Sequence, residues 1–155
     1  VISSYELAVS SLAPVSAAAY VNFWVPAGRA AEIVHIEVWQ TTTTALPQLQ
    51  LIKTTARGTQ TTTVTPTSAA NATNSSYMAT PTAVIDTAWS VQPTIAAFAL
   101  RMPDVAGTTG TSFFWDWGDQ DPLQIGSSAT AGGLAIWNAS GGTTGVIRAQ
   151  FKWRE

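Results

Sequence analysis

A chain of 155 residues suffices for one domain with a single core, and the absence of cysteine excludes disulfides, a thiolate nucleophile and a thiolate zinc site. Charged residues make up only 10% of the chain, against roughly 25% in an ordinary domain, and the formal net charge is -2. The few basic residues form no stripe that could release counterions from a phosphate backbone, and no apolar run is long enough for a helical span, which argues against nucleic-acid and membrane partners and for a mature soluble chain.

Four Glu and two Lys are too few to clothe helices, whereas Thr and Val fit a pleated surface, so the composition predicts an all-β chain. Residues 1–19, VISSYELAVSSLAPVSAAA, read as an N-terminal arm or first edge strand, and residues 20–155 as the main domain. YVNFW is the first compact strand, ended by Pro26-Ala27-Gly28. In AEIVHIEVWQ, Val34, Ile36 and Val38 alternate with Ile33, His35, Glu37 and Trp39, giving an apolar face and a mixed one that would meet solvent or a partner. QLQLIKTT follows as another strand.

Residues 56–81 read as a Thr-rich edge strand over 59–65 and then a long exposed loop suited to reaching a neighbour. AVIDTAWSV is a further strand, and TIAAFALRM a core strand or a short helix. In SFFWDWGDQDP, Phe113, Trp115 and Trp117 alternate with Phe114 and Asp116 before an acidic turn. PLQI and GGLAIWNA are short strands. In the closing GVIRAQFKWRE, Ile147, Ala149, Phe151 and Trp153 face one way and Arg148, Gln150, Lys152 and Arg154 the other. About eight short strands separated by turn-forming residues predict an antiparallel β-sandwich or barrel.

Asp116, Asp119 and Asp121 are the candidate metal ligands, because calcium takes hard oxygen donors from tight loops. Turn chemistry accounts for the same residues without an ion, since Gly118 relieves the backbone and Pro122 holds Asp121 extended. No cofactor is expected. His35 is the sole histidine and has no GxSxG nucleophile to serve, so the expectation is a non-enzyme. Of the seven tryptophans, most pack with aliphatic partners; Trp39 and one of Trp115, Trp117 and Trp137 are expected at an interface or on a sugar platform. Asn71, Asn74 and Asn138 each open an N-glycosylation acceptor pattern, one common by chance in so Ser- and Thr-rich a chain.

The closing segment PLQIGSSATAGGLAIWNASGGTTGVIRAQFKWRE, together with AEIVHIEVWQ, resembles the capsid decoration, or cement, proteins of tailed bacteriophages, which are jelly rolls. The resemblance implies a jelly-roll sandwich without catalytic residues, a homotrimer on the outer surface of the virion, and the major capsid protein as partner. Ile33, His35, Trp39, Arg148 and Lys152 are then the candidate interface residues, with Val34, Ile36 and Val38 in the core or, if the faces are reversed, the other way round. The alternative is a carbohydrate- or receptor-binding jelly roll of a phage fibre or baseplate, in which exposed Trp rings stack on glycans.

Overall fold

The period-two pattern of the closing strand passes directly into burial: Ile147, Ala149, Phe151 and Trp153 are inaccessible to solvent, while Arg148 and Lys152 are exposed. A computed structural model describes residues 3–12, 17–42, 48–73, 79–103, 109–139 and 145–155. In chain order its elements are β1 (Ser4–Ser10), β2 (Ala18–Val25), β3 (Arg29–Gln40), β4 (Leu49–Ala56), β5 (Thr59–Val64), α1 (Ser68–Asn71), β6 (Val84–Val91), β7 (Thr94–Ile95), β8 (Ser112–Asp116), β9 (Leu123–Ser127), β10 (Gly132–Asn138) and β11 (Ile147–Arg154).

All pairings are antiparallel and fall into two sheets. The first runs β1-β11-β3-β8, with β9 pairing the other half of β3; the second runs β5-β6-β2-β10-β4-β7. Several pairs are nested: β1 lies beside β11, β2 beside β10, β3 beside β8 and β9, and β4 beside β7. The β5–β6 hairpin is inserted between β4 and β7 in the chain. The main core fills the space between the sheets. Trp153 stacks on Tyr5 at 5.5 Å and meets the edge of Phe23 at 5.3 Å, and Ile36, Val38, Leu49, Leu51, Leu134 and Ile136 surround them. Burying each such side chain contributes about 1.5–3 kcal/mol.

The second sheet cannot be flat. β4 and β5 stand four places apart in its order, roughly 19 Å at about 4.8 Å per strand, yet only Arg57 and Gly58 join them. Three Cα–Cα steps reach about 11 Å. The return link from β6 to β7, Gln92 and Pro93, is as short. The sheet therefore curls until its two margins approach, and β5–β6 folds over the outer side of β2, β10 and β4. Gly58, next to the Thr59–Val91 pair, has φ +76°; a Cβ there would come within 2.3 Å of the Val91 carbonyl oxygen.

The curl encloses a second apolar cluster, in which buried Ala19, Ile52, Ala135 and Trp137 pack with Trp89, Ile95 and Ala96. It also encloses a polar network. The Asp86 carboxylate, 0% exposed, receives two 2.8 Å bonds from Arg57 and a 2.6 Å bond from the Thr63 hydroxyl. Those bonds raise the Arg57 guanidinium above its ordinary pKa, against the opposing effect of burial. Beside it the Thr54 hydroxyl donates to the Asn22 amide oxygen at 2.9 Å, in space left open by Gly133.

Several expectations need correction. Ile33 does not share a face with Trp39: it is fully buried in the main core with Ile36 and Val38. The register shifts where Lys152 pairs with His35 and Trp153 with Ile33, so Val34 is an extra residue and the strand's parity inverts there. The stretch 94–102 is neither a core strand nor a helix; Thr94, Ile95 and Arg101 pair with β4 and Phe98 is 86% exposed. The expected long loop after residue 65 contains α1, capped by the Thr67 hydroxyl and tied to β1 by the Asn71 amide, which donates to the Glu6 carbonyl. Of the first 19 residues, 4–10 form an edge strand on β11. Asn74 lies outside the described residues.

Candidate interaction face

The side chains that alternate away from the main core on β1, β11, β3 and β8 share one surface. Strand register sets them in rows: Glu6, Lys152, His35 and Asp116; then Ala8, Gln150, Glu37 and Phe114; then Ser10, Arg148, Trp39 and Ser112. Four of the five residues expected at an interface, His35, Trp39, Arg148 and Lys152, are thus brought together. The fifth, Ile33, is withdrawn into the core by the bulge at Val34.

The face is rigid and mixed in charge. The Gln150 amide donates to the Glu6 carboxylate. His35 stacks on Phe114 with ring centres 5.5 Å apart, and its Nδ1 lies 3.9 Å from the Asp116 carboxylate. Arg154 reaches Glu32 at 3.1 Å and Asp119 at 3.5 Å along one margin. Phe114 is 64% exposed and Trp39 half-buried, so two apolar rings stand among charged and amide groups. Phe113 and Trp115, on the opposite side of the same strand, meet edge to face at 4.9 Å and pack on the main core. Phe114, Glu37 and Gln150 were not singled out from the sequence, although the alternation in SFFWD already sets Phe114 with Asp116.

The three candidate metal ligands are engaged differently. Asp116 accepts from the Gly118 amide at 2.8 Å and so closes the turn, where Gly118 has φ +65°. Asp119 pairs with Arg154, and Asp121 is exposed. Among the described residues no three of His, Asp and Glu converge as an ion would require.

The remaining tryptophans divide between the cores: Trp137 belongs to the curl, Trp24 is buried, and Trp115 and Trp117 lie half-buried against the main core. Asn138 is fully buried and the Asn71 side chain is bonded to two backbone groups, so neither offers its amide to a glycan in the folded chain. No family model, characterised protein sequence or solved structure matches the chain.

Proposed function

We propose that this is a non-enzymatic jelly-roll protein of a tailed-phage virion, which binds the major capsid protein on the outer surface of the capsid and stabilises the shell as a homotrimer. The nested pairing supports the jelly-roll reading: with β5–β6 set aside, first strand lies with last, second with second-last, and so inward, as in a long hairpin wound into two sheets. The virion setting, the trimer and the partner are supported by the sequence resemblance of residues 122–155 and 31–40.

One observation carries the mode of action. The outer side of the second sheet is roofed by the chain's own β5–β6 hairpin, whereas the face of β1, β11, β3 and β8 is open and presents Phe114 and Trp39. Exposed rings on rigid strands, flanked by both signs of charge, suit a protein surface of complementary relief. A protein that binds only the assembled shell stabilises it by linkage, by an amount that grows with the concentration of free protein.

The test is co-sedimentation with phage heads, run beside a glycan screen. Retention on heads that is lost in Trp39→Ala/Phe114→Ala, with no sugar retained, supports the reading. Glycan retention through the same two rings, without head binding, replaces it with a receptor-binding module.

A further inference from the structure

At one end of the sandwich, away from the open face and independent of the reading just given, the two sheets part around a cleft of about 520 Å³ between β4 and β10 on one side and β9 on the other. That volume falls within the usual range for small-ligand sites, about 300–1,000 Å³. Strand parity explains how a charged group comes to stand at the mouth of a largely apolar cleft. Leu49 and Leu51 point from β4 into the core, and the same column continues outward to Lys53 and Thr55, which line the opening. The lining is otherwise hydroxyl, amide and small apolar groups, including Thr130, Gln124 and Ile125, with Gly132 in the wall; Lys53 is its one charged residue. The Lys53 ammonium makes no hydrogen bond or ion pair among the described residues, although acidic residues outnumber basic ones in the chain.

We propose that this mouth binds a monosaccharide-sized polyol bearing one carboxylate. Lys53 supplies the charge-assisted contact, the Thr hydroxyls exchange hydrogen bonds with the ligand's hydroxyls, and the Ile125 and glycine surfaces receive its C–H face. A lysine that merely keeps its ammonium in water at the end of a core would show no preference among sugars.

The experiment is an amide chemical-shift titration of the whole chain with glucuronate and, in parallel, with glucose. Saturable shifts at Gly126, Gly132, Gly133 and Thr54 with glucuronate, at least about tenfold weaker with glucose or in Lys53→Gln, support the proposal. Gly132→Val adds a plug at a position whose φ is ordinary and whose Cβ would come no closer than 3.4 Å to another atom, so it should abolish binding while the spectrum stays folded. Equal responses to both sugars, shifts elsewhere, or no shifts at millimolar ligand overturn it. Lys53 is exposed, so its variant reports on binding even if Gly132→Val fails to fold.

Discussion

Glu155 shows how much one side chain can hold. Its carboxylate accepts from the Trp153 indole at 2.9 Å, the Ala83 amide at 2.9 Å, and the Thr82 amide and hydroxyl at 2.8 and 2.6 Å, joining β11 to the entry of β6 in the other sheet. Glu155→Ala leaves the buried indole and the Ala83 amide without acceptors, and should cost about 3 kcal/mol in urea unfolding, since each stranded donor costs about 1–3. Glu155→Gln keeps one acceptor oxygen and should lose less. Arg57→Ala should be at least as damaging, about 3 kcal/mol, because it strands a wholly buried Asp86 with the Thr63 hydroxyl as its remaining side-chain donor. Since the Arg57 pKa is raised, its contribution is present at all ordinary pH values and is lost only in strong alkali, above that raised value. Neither residue stood out in the sequence: a single Glu after a strand and a single Arg before a glycine carry no pattern, and Asp86 and Thr82, which they hold, lie 29 and 73 positions away.

At the scale of the element, legibility followed the number of buried faces. β11 has one, and its alternation was readable residue by residue. β2 is buried along its whole length because the curl covers its second side, so period two disappears there and the roof it implies stayed hidden. β3 alternates correctly on each side of Val34, but an extra residue leaves no chemical mark, and the face of Ile33 was therefore misread. The β4–β5 link runs beside the end of β6, where Thr59 pairs with Val91, and two glycines test how closely. Gly28 and Gly58 both have positive φ, and nothing lies near a Cβ at Gly28, whereas one at Gly58 meets the Val91 carbonyl. Gly28→Ala should cost about 1 kcal/mol from backbone strain alone. Gly58→Ala should lower the melting temperature clearly further, and equal losses would show that the link does not lie against the end of β6.

For the molecule as a whole, the two-sheet antiparallel architecture was legible because turn residues and β-branched runs recur along the chain. What covers each outer surface was not, since that depends on a hairpin doubling back over three strands. The open face gives a prediction about association. Trp39→Ala/Phe114→Ala should leave the melting temperature nearly unchanged, because both rings stand outside the core, while abolishing the shell binding we propose. Lys152→Glu, in the row with Glu6, His35 and Asp116, should change the rate of the proposed association and its salt dependence while leaving the fold intact. Stopped-flow binding over a range of ionic strength separates a rate effect of this kind from a loss of the anchor rings.

The hairpin that roofs β2, β10 and β4 also orders events during synthesis. β10 lies between β2 and β4, yet it is made well after both of them, beyond residue 131. A nascent chain that ends before it has nothing between those two strands for the ribbon to close upon, and Ile52 and Trp89 wait in water until Trp137 emerges. Chains truncated at residue 131 and held on the ribosome by a linker that spans the exit tunnel should therefore be cut readily by protease within residues 49–95, and chains carried through residue 155 on the same linker should resist.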